Sequence, residues 1–354
     1  MCSPMRAEPS TSEKMRCLPW AIGHNATNTI FCQLTLFGPV FLLFLSDLGL
    51  PKTRIGLLLS LLPFWGLVAV FIAPAVARVG TKRTFVTFWT LRKLVVALFL
   101  LTPWVVQRFG LDGAFFYIVL LVAMFALFRA IAETAALPWD QEIIPSPVRG
   151  QYYALSNIIA MLCGSLALAG ASYLLDHVAG IRRFAYVMGG GVLFGLISCG
   201  LALRLPGGAP RRKAGTAHIR QMRVALLDRN FRLYLAGMGL LTLSGALLFF
   251  MPLFFKEQVG LGEGQIARLG IASFAGVLLS SYLWGWTADR FGGKPVMLSS
   301  LSFSGLLLVG WVLMPRQSAW SNTVAMALSF IGGTIGAATA AGGNRLLYVG
   351  VVPP

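Results

Sequence analysis

Long stretches without charge constrain this chain more than any other feature. Residues 55–77, 154–175, 184–203, 233–255 and 269–288 contain no Asp, Glu, Lys or Arg. Each has about the 20 residues that a helix needs to cross roughly 30 Å of hydrocarbon. With 57% hydrophobic and 12% charged residues, the chain lies outside the range of soluble globular proteins. The sequence therefore predicts an all-α membrane protein.

The hydrophobic pattern divides the chain into spans joined by polar segments. The predicted spans, numbered 1 to 10, lie near residues 20–46, 55–77, 84–106, 113–136, 151–175, 184–204, 231–255, 266–288, 294–314 and 319–343. Residues 1–18 are expected to form a cytoplasmic tail, 19–205 a six-helix bundle and 230–354 a four-helix bundle. Residues 206–229, rich in Gly, Pro and Arg, are expected to form a cytoplasmic linker with an amphipathic helix.

The net charge of +17 does not indicate a nucleic-acid partner, because the basic residues alternate by side of the membrane. With the N-terminus in the cytoplasm, the cytoplasmic segments hold more than twice as many Lys and Arg residues as the opposite ones. This bias predicts a cytoplasmic N-terminus in an inner (plasma) membrane of bacterial type. Arg92 and Lys93, inside span 3, are expected to extend toward the cytoplasmic interface.

The second half of the chain repeats the first. DLGLPKTRIGLLLSLLPFWG (47–66) aligns with QVGLGEGQIARLGIASFAG (258–276), and ARVGTKR (77–83) aligns with DRFGGKP (289–295). After IIPSP (143–147) the first half continues through two more spans, whereas the chain stops after the similar GVVPP (350–354). Transporters are commonly built from such repeats. We therefore expect a C-terminally truncated chain with ten of twelve helices; a natural ten-helix protein is the alternative.

Polar groups inside the spans are the candidate functional residues, because charge in hydrocarbon is costly. Arg129 and Glu133 are four residues apart on span 4 and share a helix face. They form either a static ion pair or a substrate site in which Glu133 carries a proton. Asn25 and Asn28 share a stripe of span 1, and their amides either bind a polar solute or hydrogen-bond to neighbouring helices. His24 is expected to be structural.

Prolines and glycines predict where the spans bend and pack. Kinks are expected at Gly38-Pro39 in span 1, at Pro63 in span 2 and at Pro252 in span 7. The glycine-rich tract 332–343 of span 10 is expected to permit close helix packing.

Four motifs resemble the major facilitator superfamily of membrane transporters. They are GWTADRFGGK (285–294), LFRAIAETAA (127–136), EIIPSPVRG (142–150) and LLDRNFRLYL (226–235), the first being similar to the family's signature cytoplasmic loop. The resemblance covers essentially the whole chain. It implies the major facilitator fold with two pseudo-symmetric helical bundles, here spans 1–6 and an incomplete set of spans 7–10. Ala77 departs from the signature, which has Asp at that place, and span 5 lacks the Gly-Pro-rich run of drug–proton antiporters.

The resemblance also implies functional positions. Spans 1, 4, 7 and 10 line a central cavity in this family, and the candidates there are Gln33, Arg129, Thr242, Ser244, Ser329 and Thr334, joined by Asn157 of span 5. The cytoplasmic gate is expected to contain Gly285, Asp289, Arg290, Gly292, Lys294 and Arg149. Asp289 is expected to face Arg149 and the start of span 5 when the cytoplasmic side is closed. A solvated loop charge is the alternative.

The sequence shows no catalytic constellation. It has no Walker loop, no paired histidines on one helix and no cysteine spacing typical of a metal site, so we expect no enzyme, no cofactor and no metal. A membrane-embedded enzyme would need several acidic or His residues at mid-depth, and the spans offer only Glu133. We expect a monomer in a lipid bilayer that transports a small-molecule substrate by alternating access, driven by a gradient, as a uniporter or a proton-coupled transporter. The alternative is a transporter-like sensor without flux.

Overall fold

The computed structural model describes residues 10–145, 148–210, 227 and 229–346. These ranges contain helices and no strand, as expected for a chain that must satisfy its backbone hydrogen bonds within lipid. The predicted amphipathic helix of the linker lies outside the described residues, as does the first half of the predicted cytoplasmic tail, residues 1–9.

Every predicted span coincides with helix in the part of the chain that the structure describes. The helices of the first part are α1 (Thr11–Leu34), α2 (Pro39–Asp47), α3 (Lys52–Phe64), α4 (Val68–Val79), α5 (Thr81–Leu98), α6 (Thr102–Ile143), α7 (Arg149–His177) and α8 (Arg182–Leu203). Those of the second part are α9 (Arg229–Leu248), α10 (Met251–Phe254), α11 (Glu263–Phe291), α12 (Gly293–Leu313) and α13 (Ser321–Arg345).

The predicted kinks fall at interruptions of the helices. Span 1 is broken between α1 and α2 at Gly38-Pro39, and span 7 is broken between α9 and α10, where Pro252 opens the second segment. In span 2, α3 ends one residue after Pro63 and a 3₁₀ turn, Trp65–Leu67, leads into α4. These three predictions are confirmed, and the cause is the missing N–H and the ring of proline.

Gly110 separates spans 3 and 4 within α6. Its φ of 70° and ψ of −175° leave the helical conformation, and this left-handed φ favours glycine. A second 3₁₀ turn, Phe99–Leu101, joins α5 to α6.

The chain divides into two compact units. Unit 1 contains residues 1–164 and 180–220, and unit 2 contains residues 165–179 and 221–354. The helix α7 therefore contributes its first part to unit 1 and its second part to unit 2. In unit 1, the most extensive helix contacts are those of α1 with α8 and of α5 with α6. In unit 2, α13 packs on α11 and α12. The predicted bundle limits and the pseudo-symmetry between bundles stay predictions.

Glycines bring the helices of unit 2 into backbone contact. A Cβ atom on Gly276 of α11 would overlap the carbonyl oxygen of Phe330 on α13, and one on Gly333 would overlap that of Ser273. Further along α13, Gly342 meets α12, where a Cβ would lie 3.0 Å from the Met297 nitrogen. The close packing predicted for the glycine-rich tract of span 10 is confirmed.

Seven helical segments among the described residues are long and apolar enough to cross a membrane. One of them, Thr81–Ile143, has 63 residues and holds both span 3 and span 4. Large apolar side chains on these segments remain exposed, including Phe116, Leu166 and Leu279. A surface of this kind is stable only against lipid, and the prediction of an all-α membrane protein is confirmed.

Candidate functional site

The interior of unit 1 contains a buried cation cluster, formed by Arg92 and Lys93 of α5 with Asn28 of α1. Arg92 is 1% exposed and Lys93 is 0% exposed. The Asn28 Oδ1 atom accepts hydrogen bonds from Arg92 Nη2 at 3.2 Å and from Lys93 Nζ at 2.6 Å. The expectation that both side chains extend to the interface is wrong, because they point at a carboxamide on the neighbouring helix.

Aromatic faces surround the two cations. The Arg92 Cζ atom lies 3.7 Å from the ring centre of Trp89 and 5.2 Å from that of Phe125, and Lys93 Nζ lies 3.5 Å from the centre of Phe31. Trp89 shares a helix face with both cations because it precedes them by three and four residues. The negative face of an aromatic ring attracts a cation, most strongly where water is excluded.

Neither cation has a carboxylate partner among the described residues. The ion pairs within the described part of unit 1 join other groups: Arg54 with Asp112, Arg129 with Glu133, and Arg183 with Asp47. The Nε atom of Arg92 is buried and has no hydrogen-bond partner in the described part of the chain. A buried charge normally has a charged partner, so this cluster keeps an excess of positive charge inside unit 1.

The predicted pair on span 4 forms an ion pair. Arg129 Nε lies 2.7 Å from Glu133 Oε1, and their side chains are 31% and 46% exposed. The Arg129 Cζ atom also lies 4.7 Å from the ring centre of Phe37 on the segment between α1 and α2. The pairing follows from the four-residue spacing on one helix face. The role of Glu133 in proton coupling stays a prediction.

The polar stripe of α1 makes hydrogen bonds between helices. Asn25 Nδ2 donates to Ser156 Oγ of α7 at 2.9 Å, and His24 Nδ1 lies 2.9 Å from the Ser198 carbonyl oxygen of α8. Together with Asn28, these contacts match the interhelical alternative that the sequence left open. Binding of a solute by Asn25 or Asn28 stays a prediction.

The remaining cavity candidates have varied surroundings. Gln33 is half-buried near the end of α1, Asn157 is exposed on α7 and Thr242 is exposed on α9. In unit 2, Ser329 is half-buried, and the Thr334 hydroxyl donates to the carbonyl oxygens of Phe330 and Gly276. The side chain of Ser244 lies outside the described residues. A substrate role for these residues stays a prediction.

Apart from Arg149, the predicted gate residues lie at the end of α11 and the start of α12, on either side of Gly292. Asp289 accepts a hydrogen bond from the Arg345 guanidinium at the end of α13, and its side chain is 79% exposed. Gly292 has a φ of 91°, a value that favours glycine. Arg290 lies over the ring of Trp286, while Gly285 is half-buried and Lys294 exposed. The side chain of Arg149 is not described, so its predicted contact with Asp289 stays a prediction.

A second polar contact set in unit 1 was missed by the sequence analysis, and we call it the linker clasp. Lys82 Nζ donates to the carbonyl oxygens of Leu203 at 2.9 Å and Leu205 at 2.5 Å, near the end of α8. Trp139 Nε1 donates to the Pro206 carbonyl oxygen at 3.0 Å. The Gly208 N–H donates to Glu142 Oε1 at 3.1 Å. The clasp holds residues 203–208 against α5 and α6, and nothing in the spacing of these residues signals it.

Long apolar helices with large exposed apolar side chains define a polytopic helical membrane protein. Residues 26–353 match the sequence pattern of the Major Facilitator Superfamily. The chain belongs to this superfamily, and it is an integral membrane transporter rather than an enzyme. No curated protein sequence matches the chain at a significant level.

Solved structures of the same superfamily share the fold. A bacterial homolog of the human lysosomal transporter Spinster, inward-facing and unoccupied, is 16% identical with a TM-score of 0.61, over 98% of this chain and 77% of that one. The xylose transporter XylE from E. coli, in a partially occluded inward-open conformation, is 13% identical with a TM-score of 0.60, over 96% of this chain and 84% of its own. A D-xylose–proton symporter is 14% identical with a TM-score of 0.55, over 93% of this chain and 80% of that one. These likenesses show the fold alone.

Proposed function

We propose that this protein moves a small solute across the bacterial-type inner membrane by alternating access, driven by a gradient, as a uniporter or a proton-coupled transporter. The observation that carries the proposal is the superfamily match over residues 26–353. The polar groups within the spans of unit 1 support it, because such groups in hydrocarbon mark substrate and ion pathways. The proposal includes a cytoplasmic N-terminus and a monomer.

The ion pair on α6 is the proposed coupling element. Arg129 and Glu133 neutralise each other at 2.7 Å. A proton on Glu133 removes its charge and weakens its hold on Arg129, which frees the guanidinium to bind a substrate. Substrate binding and proton binding at one ion pair are then linked, as a symporter requires.

The Glu133→Gln variant tests this proposal in proteoliposomes. A ligand is first found by a thermal-stabilisation screen on the purified wild-type protein, and its flux is then measured with and without a pH gradient. For a proton-coupled transporter we expect the variant to keep ligand binding and to lose the flux that the pH gradient drives. A matched control is Asp112→Asn, which removes the carboxylate of another arginine pair, with Arg54 at 2.6 Å, and should retain that flux.

Three other outcomes are informative. Wild-type flux that does not respond to the pH gradient assigns uniport. Unchanged pH dependence in Glu133→Gln removes the coupling role of Glu133. If the wild-type protein binds the ligand but gives no flux, the transport proposal is rejected in favour of a transporter-like sensor.

A further inference from the structure

Around the buried cation cluster, cationic side chains outnumber carboxylates. Arg92, Lys93 and Arg129 lie on α5 and α6, and Glu133 is the carboxylate that pairs with one of them. An arginine side chain does not lose its proton in proteins, so at least Arg92 remains charged and without its own counter-charge.

The neutral groups around the cluster compensate this charge only in part. The single Asn28 Oδ1 atom serves both cations, and the Nε atom of Arg92 has no partner among the described residues. Aromatic faces add attraction but carry no net charge. A buried positive charge in a low-dielectric interior acts over a longer distance than one in water. The cluster therefore creates a positive potential at nearby accessible positions.

The accessible positions lie where the segment between α1 and α2 meets α6. The ring centres of Phe37 and Phe125 are 5.8 Å apart across this contact, and Arg129 lies over Phe37. The Arg129 side chain is half-buried there, and the Asn28 side chain is half-buried beside Arg92 and Lys93. Among the described residues, the Asn28 Nδ2 group donates only to the Cys32 sulfur, at 3.8 Å, and sulfur is a weak acceptor. The Nη groups of Arg129, whose Nε is paired with Glu133, and one N–H group of the Asn28 carboxamide can thus donate to a ligand.

We propose that this face of unit 1 selects a small anion, a solute that carries a carboxylate or phosphate group, as the substrate. The inference rests on the proposed transport function and adds the substrate class. Arg129 and the Asn28 amide are the proposed contacts, since both donor types bind carboxylate and phosphate oxygens. Arg92 does not need to touch the anion, because its charge attracts the anion through the intervening Asn28 side chain.

The test measures thermal unfolding of the purified full-length protein in detergent, at constant ionic strength set with sodium chloride. The probes are inorganic phosphate, gluconate and glycerol phosphate as anions, glucose as a neutral solute and choline as a cation. We expect a saturable rise of the unfolding midpoint with at least one anion and none with glucose or choline. No saturable rise with any of the three anions overturns the inference, as does a rise with glucose or choline alone.

The Asn28→Asp variant makes the test specific. This substitution keeps the shape of the side chain and places a carboxylate beside Arg92 and Lys93, so it supplies the missing counter-charge internally. We expect anion binding to weaken about tenfold or more, while the protein remains folded because the cations are now paired. Arg92→Gln should weaken binding in the same direction. The matched control Gln107→Glu adds the same charge at an exposed position of α6 and should bind as wild type does.

The outcomes separate this inference from the transport proposal. Unchanged anion affinity in Asn28→Asp, with a single peak in size-exclusion chromatography, overturns the inference. Transport of a neutral solute, together with no anion binding, also overturns it and leaves the transporter intact. If anions bind in a manner that depends on Asn28 but no flux is seen in proteoliposomes, the site for an anion is supported and the transport proposal is rejected.

Discussion

At the residue scale, a single carboxamide oxygen holds two neighbouring cations in the interior of unit 1. The spacing of Trp89, Arg92 and Lys93 already places them on one side of α5. That spacing does not reveal whether this side meets lipid, water or another helix. The contact with Asn28, at 3.2 and 2.6 Å, decides the question, since it exists only when α1 packs beside α5.

The Asn28→Ala variant should lower the free energy of unfolding by roughly 2 kcal/mol, because hydrogen bonds to charged groups contribute about 1.5 to 3 kcal/mol. The substitution leaves Lys93 without its oxygen acceptor and removes the bond to Arg92. Thermal or denaturant unfolding in detergent measures the change. Gln107→Ala removes a carboxamide that is exposed and should change stability by no more than about 0.5 kcal/mol. Equal effects of the two substitutions would contradict the importance of the cluster.

At the element scale, breaks and close contacts shape the spans. The proline rule located the interruptions at Pro39, Pro63 and Pro252 because a missing N–H and a rigid ring act locally. The glycine-rich sequence of span 10 indicated close packing, but not which helix it approaches. The structure assigns Gly333 and Gly342 of α13 to different neighbours, α11 and α12, because partner choice depends on the arrangement of the helices.

The break between α1 and α2 should not tolerate a side chain at Gly38. A Cβ atom there would overlap the carbonyl oxygen of Gln33, and a backbone atom cannot move aside as a side chain can. We expect Gly38→Ala to destabilise the protein by roughly 2 to 3 kcal/mol, measured as a lower unfolding temperature in detergent. Gly66→Ala is the control at another break, since a Cβ atom on Gly66 meets nothing within 4 Å. A wild-type unfolding temperature in Gly38→Ala would disprove this geometry.

The contact between α11 and α13 should respond in the same way at Gly276. We expect Gly276→Ala to cost roughly 1 to 3 kcal/mol, because overpacking forces the two backbones apart. Gly336→Ala, on α13 but with nothing within 4 Å of its Cβ position, should be neutral or slightly stabilising, since alanine favours helix. Unfolding of the two purified variants under one condition compares them directly. Similar stability of both would argue against backbone contact at Gly276.

At the scale of the whole molecule, the distribution of basic residues carries the proposed orientation. Arg92 and Lys93 are buried inside unit 1, so they do not contribute to the excess of basic residues on the cytoplasmic side. The remaining bias still favours a cytoplasmic N-terminus. The superfamily match places the protein among transporters but does not test this orientation.

Cysteine labelling in intact cells should establish the orientation. In a background whose native cysteines are replaced by serine, a membrane-impermeant maleimide should label Gln107→Cys from outside, because Gln107 is exposed between spans 3 and 4. Ser10→Cys, just before α1, should react only after the cells are permeabilised. Labelling of Ser10→Cys in intact cells would reverse the proposed orientation.

The sequence alone determined that this chain is a helical membrane protein, where its helices break and which superfamily it resembles. Those properties are local: uncharged runs must be helical in lipid, proline removes a backbone donor, and motifs are read along the chain. Only the tertiary structure decided the surroundings of Arg92 and Lys93, the linker clasp around Lys82, and the partner of each glycine contact. These contacts depend on which face of one helix meets another. The sequence of a single span does not set its rotation about the helix axis, because that rotation is decided by packing against neighbouring helices.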